Sequence, residues 1–422
     1  MKLNNLNKTK RNMLLASALA ISVSACSFLW LSPKTELIKK DFSVAEKQYS
    51  RLLKTSTDLT RFPRTTRKDG SVKTTDVWDW TQGFFAGGLW YIYEYTKQPQ
   101  WKAAATKWTE ALEQAQFLTQ HHDVGFVMYC SYGNAIRFEK DPVKLEKYHK
   151  ILIQSAESAL TRFDPKVGLI KSWNAKASWD KKTMWQYPVI IDNMMNLEML
   201  CYVSKLTGNP KYKEVAISHA LNTMKNHFRP DFSTYHVVDY APDGKVLHQQ
   251  TNQGYSDNST WSRGQGWAIY GFTMMYRETK DKRFLEAAQK AADFYLNHPN
   301  LPKDKIPYWD FNVNQAGYKP DWSHNTKLNY IPRDASAGSL VASGLLELST
   351  FSGNGAKYFK FAEMMLKSLS GNDYLAKPGT NSGFLLKHSV GSFPHNSEID
   401  VPLIYADYYF LEALLRYQKL KG

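Results

Sequence analysis

The chain has 422 residues, enough for one large or two average domains, and 14% are aromatic, so it can bury a sizeable core and still line a cleft with rings. Its formal charge is +15, yet no run of Lys or Arg stands out as a nucleic-acid arm; the excess is spread along the chain. That argues against nucleic acid as a partner and is compatible with an anionic small substrate.

Lys2, Lys8, Lys10 and Arg11 form a basic start, followed by a short apolar stretch, Met13 to Val23, too short to span a membrane as a helix. Val23-Ser24-Ala25-Cys26 is similar to a bacterial lipobox. The expectation is a lipoprotein-type signal peptide over 1–25 and a lipidated Cys26. A tether over 26–36 then leads to one catalytic domain over 37–422. The protein would be an exported bacterial lipoprotein at the periplasmic face or outer membrane, touching the membrane only through this anchor. Cys130 and Cys201 lie in hydrophobic helical text and read as buried thiols; no spacing suggests a metal site, and no cofactor is expected.

Apolar periodicity predicts about twelve helices, near 37–55, 79–97, 99–119, 127–138, 143–162, 189–206, 210–228, 264–279, 281–298, 335–351, 354–369 and 402–417. A phrase recurs through them: YEYTKQPQWKAAATKW from Tyr93, SKLTGNPKYKEVAISHA from Ser204, YRETKDKRFLEAAQKAA from Tyr276 and STFSGNGAKYFKFAEMM from Ser349. Its Gly, Asn and Pro are helix stop and start signals. The last three copies begin about 72 residues apart, a repeated two-helix unit. The first helix of each pair is the more apolar and the second is amphipathic, which places the first inside and the second outside. Six such hairpins predict an all-α, single-domain (α/α)6 barrel. Short hairpin-like text at 231–250, with Pro242-Asp243-Gly244 as its turn, is the one conspicuous exception.

Polar and aromatic clusters precede the inner helices: Asp76 to Phe84, His121 to Phe126, the run at Asp192, Gln253 to Trp267, Tyr330 to Asp334, and Lys387 to Asp400. In a toroid these loops converge at one mouth. Asp192 sits in YPVIIDNMMNLEML, a mostly apolar run. A carboxylate there either caps a helix or is held protonated by burial, as general-acid chemistry requires. Asp123, beside His122 and a flexible Gly125, is a candidate second acid or a helix cap. The His121-His122-Asp123 run lacks the helical His-x-x-x-His spacing of a metal site. Trp80, Trp261 and Trp267 are either core or sugar-stacking rings. Arg263, between two of them, suits a carboxylate clamp through its bidentate fork.

The blocks WDWTQGFFAGGLWYIYEYT, HHDVGF, IIDNMMNLEML, STYHVVDY, NQGYSDNSTWSRGQGWAIYGF and SEIDVPLIYADYYFLEALLR occur in order over roughly residues 40–420. Together they resemble the unsaturated glucuronyl hydrolases of glycoside hydrolase family 88. The resemblance implies the same (α/α)6 barrel. It also implies removal of a Δ4,5-unsaturated uronic acid from the non-reducing end of glycosaminoglycan-derived oligosaccharides, by hydration of the C4=C5 bond. A polysaccharide lyase would be the upstream partner. By resemblance Asp192 is the acid/base and Asp123 the second essential carboxylate. His122, His236 and Gln253 fall among the substrate-contacting positions. Trp80, Trp261 and Trp267 would form an aromatic floor, and Arg263 would hold the uronate carboxylate or orient the neighbouring acid. Lys387 and Ser389 fall where some members bind a sulfate. The alternatives are an unsaturated rhamnogalacturonyl hydrolase acting on pectin fragments, or a non-catalytic surface lipoprotein that binds glycosaminoglycan.

Overall fold

The computed structural model describes residues 33–321 and 328–421. Cys26 and the lipobox lie outside the described residues. Packing divides the chain into Met1–Lys40 and Asp41–Gly422. Of the first unit the described residues are the beginning of helix α1 (Pro33–Thr55); the second carries everything that follows.

Among the described residues there are twelve α-helices. After α1 come α2 (Gln82–Thr96), α3 (Pro99–Glu110), α4 (Val124–Ala135), α5 (Pro142–Leu160), α6 (Leu197–Thr207) and α7 (Lys211–His227). The remainder are α8 (Ser262–Thr279), α9 (Lys282–Asn297), α10 (Ala335–Leu348), α11 (Gly355–Leu369) and α12 (Ile404–Lys421). The even-numbered helices pack side by side from α2 through α12, and α12 packs back on α2, closing the ring. The odd-numbered helices back them: α3 on α2, α5 on α4, α7 on α6, α9 on α8 and α11 on α10. From Asp41 onward α1 completes the outer layer, with Phe42 stacked on Tyr95 and Tyr49 on Phe85 of α2. This is an (α/α)6 barrel.

Burial follows the pattern of the sequence. Every residue of α2 from Gln82 to Ile92 is buried, whereas α9 buries Phe284, Ala287, Ala288, Ala291, Ala292 and Tyr295, one stripe at helical spacing. The recurring phrase spans the hairpin turns: Lys97, Gly208 and Lys280 each end an inner helix in the left-handed conformation, and the outer helix starts directly after. Rings fill the barrel axis. Trp80, Phe84, Phe126, Trp267, Tyr405 and Tyr409 interlock with centroid separations of 4.9–5.9 Å between neighbours.

One inner element differs from the periodic reading. The text from 189 forms a strand, Pro188–Ile190, then a 3-10 helix, Ile191–Asn196, and only then α6. The β-branched Val189 and Ile190 pair with Val238 and Val237 of the hairpin strand Val237–Tyr240, which in turn pairs with Val246–Gln250. Asp192, Asn193 and Asn196 are weak α-formers whose side chains compete for backbone groups. The Pro242-Asp243-Gly244 turn is as expected, with Gly244 at φ +83°.

Candidate active site

A cavity of about 130 Å³ opens where the inner helices begin. Trp80, Asp123, Asp192, Gln253 and Arg263 line it, together with Arg64, Trp173, Ser392, Glu398 and Tyr405. The two carboxylates arrive on different elements that approach unusually closely. A Cβ on Gly125, in the first turn of α4, would lie 2.6 Å from Asn196 Cα; one on Gly271 of α8 would lie 2.5 Å from Met194 Cβ. The 3-10 helix that carries Asp192 is thus clasped between α4 and α8. Gly125 is there for contact, not for flexibility. The Asn196 side-chain Oδ1 accepts the Phe126 N–H at 2.9 Å and fixes the same junction.

Neither carboxylate is a helix cap. Asp123 stands at the N-cap position of α4, but its side chain makes no capping bond. Its oxygens meet His121 Nδ1 at 2.9 Å and His122 Nε2 at 3.2 Å. Burial works to raise its pKa, but the two imidazoles and Arg162 outweigh it and hold Asp123 below the ordinary carboxylate range. Asp192 lies in the first turn of the 3-10 helix, whose N-cap position is Ile190. Its Oδ2 is buried without a hydrogen-bond partner. Burial pushes its carboxyl up to about 7, against the pull of Arg263 and with a push from the negative Asp123. The pKa values of two neighbouring carboxyl groups are therefore pushed apart, Asp192 upward and Asp123 downward.

The imidazoles are set by their partners. His236 Nδ1 accepts the N–H groups of Asn252 (3.0 Å) and Gln253 (3.2 Å), so its proton is on Nε2, 3.6 Å from Asp192 Oδ2. Burial keeps this ring neutral, and its Nε2–H faces Asp192 Oδ2 without closing a hydrogen bond. His122 is also buried, and its pKa falls to about 4. Its Nδ1 lies 3.4 Å from both Ser172 Oγ and Asn196 Nδ2.

Other expected residues take different places. Trp80 lines the cavity, whereas Trp261 and Trp267 are buried and stand behind it: Trp261 packs 4.5 Å from the His236 ring, and Trp267 locks into Phe126 and Tyr409. Arg263 is not a free clamp. Its Nη1 pairs with Asp334 Oδ2 at 2.8 Å and reaches the Val390 carbonyl, and its Nη2 donates to the Gly391 carbonyl at 2.7 Å. The fork is spent on positioning Asp334 and the 389–392 strand, while its charge still acts on Asp192. Gln253 Nε2 donates to the same Gly391 carbonyl at 2.8 Å. Lys387 and Ser389 do not reach the cavity lining: Lys387 Nζ binds the Asn372 carbonyl at 2.8 Å, and Ser389 is wholly buried. His388 between them has a left-handed φ of +62°. Cys130 and Cys201 are free thiols.

Five lining residues were not anticipated. Trp173, in KSWNAK, and Tyr405, at the start of α12, had an aromatic-near-inner-helix signal. Ser392 and Glu398 fell within the Lys387–Asp400 cluster. Arg64 on the strand Phe62–Thr66 had none; it pairs with Asp79 and Glu398, each at 2.6 Å. A larger cavity, about 310 Å³, lies toward the other end of the inner helices, but its carboxylates Glu94, Glu198 and Glu412 are paired with Arg137, Arg277 and Arg416. The smaller cavity holds the carboxyl pair whose pKa values diverge.

Comparison with known proteins agrees with this geometry. The family model described as Glycosyl Hydrolase Family 88 matches residues 53–309. The chain belongs to this family. It is 41% identical over 385 residues, 91% of either chain, to an unsaturated glucuronyl hydrolase of Formosa agariphila. It is 32% identical over 82% of its length to an unsaturated chondroitin disaccharide hydrolase of Streptococcus agalactiae, of which 83% is covered. A crystal structure of an unsaturated glucuronyl hydrolase specific for heparin superposes with a TM-score of 0.83 at 47% identity, covering 92% of this chain and 98% of that one.

Proposed function

We propose that this family 88 hydrolase removes a Δ4,5-unsaturated uronic acid from the non-reducing end of glycosaminoglycan-derived oligosaccharides by hydrating the C4=C5 bond. The observation that carries the reading is the carboxyl pair, Asp192 protonated up to about pH 7 and Asp123 ionised, in one cavity. C5 bears the ring oxygen, so the double bond is a vinyl ether. Asp192 delivers its proton to C4, and the π electrons form the new C4–H bond. The cation left at C5 is stabilised by the ring oxygen and by the ionised Asp123. Water adds to C5, and its proton returns to the Asp192 carboxylate, closing the cycle. The hemiketal opens by breaking its bond to the ring oxygen, and the resulting C1 hemiacetal expels the remaining sugar.

His236, as a neutral donor 3.6 Å from Asp192 Oδ2, steadies the carboxylate formed in the middle of this cycle. Six helix beginnings around the mouth add positive potential toward an anionic sugar. Such a substrate exists only after an eliminative cleavage, so a polysaccharide lyase must supply it. The lipobox supports export and anchoring through Cys26, at the periplasmic face or outer membrane.

The test follows the ultraviolet absorbance of the C4=C5 bond with unsaturated disaccharides from chondroitin, hyaluronan, heparin and pectin. The expected result is loss of absorbance with the glycosaminoglycan sugars. Activity on the pectin fragments alone would replace the substrate class, and no decay with any of them would overturn the reaction.

A further inference from the structure

The larger cavity, about 310 Å³, excludes Asp123 and Asp192 from its lining and has room for one sugar-sized molecule. Phe126 separates the two cavities: it lines the larger one, and its ring meets Trp80 of the smaller one at 5.6 Å. Most polar groups on the larger wall satisfy one another. Glu412 holds Tyr91, Tyr270, Ser343 and Arg416, and Glu94 holds Arg137 and Lys419.

Two groups keep capacity to spare. The Glu198 side chain is 23% exposed on this wall, and among the described residues its one ion-pair partner is Arg277. Arg277 also serves Glu278 and Glu347, and Arg416 serves Glu347 and Glu412, so four carboxylates share two guanidiniums. Burial, with Glu347, Glu412 and Glu278, pushes the Glu198 carboxyl up against the pull of Arg277. The second group is the hydroxyl of Tyr409, a residue only 2% exposed. Among the described residues that hydroxyl has no hydrogen-bond partner. Burial pushes its phenol up, followed by Cys130, Tyr270, Glu412 and Tyr91, all on the same wall, which places its oxygen on the cavity side. Tyr129 and Tyr202 add two more phenol rings, 5.7 Å apart, and Tyr129 feels the Glu198 charge.

Carboxylates in excess of their cations, with aromatic rings on the same wall, select a cation. A buried hydroxyl without a partner selects a ligand that can hydrogen-bond. We propose that this second cavity binds an amino sugar with a free amine, its ammonium on Glu198 and a ring hydroxyl on Tyr409. This binding is separate from the reaction assigned above and needs neither Asp123 nor Asp192.

Calorimetric titration of the whole protein with glucosamine tests it, with N-acetylglucosamine as the same ring without the charge. Glucosamine should bind at millimolar concentration or below. N-acetylglucosamine to the wild type, and glucosamine to Glu198→Gln, should each bind more weakly by about tenfold or more, the size of one charge-assisted hydrogen bond. Tyr409→Phe should weaken glucosamine several-fold while melting as the wild type does, because it removes a hydroxyl that bonds nothing in the free protein. If Glu198→Gln melts early, Tyr409→Phe decides alone. A wild type that takes up no glucosamine, or that binds both sugars equally, overturns the proposal. So does an affinity unmoved by Tyr409→Phe.

Discussion

At Asp192 one fact, burial, has two measurable consequences of opposite sign. Its carboxyl titrates at about 7, so activity that needs the protonated form declines as pH rises through that value. A pH–rate profile rising across neutrality would contradict the assignment. For stability, the folded chain holds this proton to a higher pH than the unfolded chain does. The folded state is therefore disfavoured progressively from the ordinary carboxylate range up to about pH 7, and fully above it. Asp192→Asn is expected to be the more stable protein in mildly alkaline buffer, by roughly 2–4 kcal/mol, with the gap closing on acidification. Urea unfolding at several pH values measures this. Much of this residue's chemistry was legible in advance: a carboxylate in an apolar run is costly wherever it folds. What the sequence left open was capping, and the position of Asp192 inside the 3-10 helix, past its N-cap Ile190, excludes it.

The clasp on the 3-10 helix is a property of elements rather than of side chains. Gly125→Ala places a methyl group where Asn196 Cα already stands, so α4 and the 3-10 helix must separate. The expected cost is about 1–3 kcal/mol of stability, with a fall in kcat because Asp123 and Asp192 move apart. Gly208→Ala is the control. It meets no atom within 4 Å and has only its φ of +72° to lose, so it should cost about 1 kcal/mol and leave kcat unchanged. At the start of α10, Asp334 accepts the Ser336 and Ala337 N–H groups and pairs with the buried Arg263. Asp334→Ala should therefore cost about 3–5 kcal/mol, read by denaturant titration, because it strands a buried charge. The helical hairpins were legible because propensity, caps and amphipathicity agree. The element carrying Asp192 was not, because Val189 and Ile190 take a β partner some fifty residues away.

Across the whole molecule, the repeated phrase announced a ring, since two-helix units with one apolar member can bury that member only against one another. The mouth was legible as a set of loops, and Trp80, Asp123, Asp192, Gln253 and Arg263 do line one cavity. The wall made by Arg64, Trp173 and Tyr405 depends on ring closure and on short strands that carry little periodic signal. Lys387 and Ser389 lie outside this lining, the one bound to the Asn372 carbonyl and the other buried. Helix beginnings and basic residues around the mouth predict that added salt raises KM for an anionic disaccharide while kcat stays nearly constant. If Cys26 carries the anchor, Cys26→Ser should leave the enzyme in the soluble fraction after export, as cell fractionation would show.

The central claim is that Asp192 supplies the proton to C4, and single-turnover decay of the C4=C5 absorbance in Asp192→Asn tests it most directly when paired with calorimetric binding of the same disaccharide. Binding should stay within a few-fold of wild type, and the decay should slow by at least about 10²-fold, the scale of a lost general acid. A variant that binds normally and turns over at near wild-type rate would contradict the account.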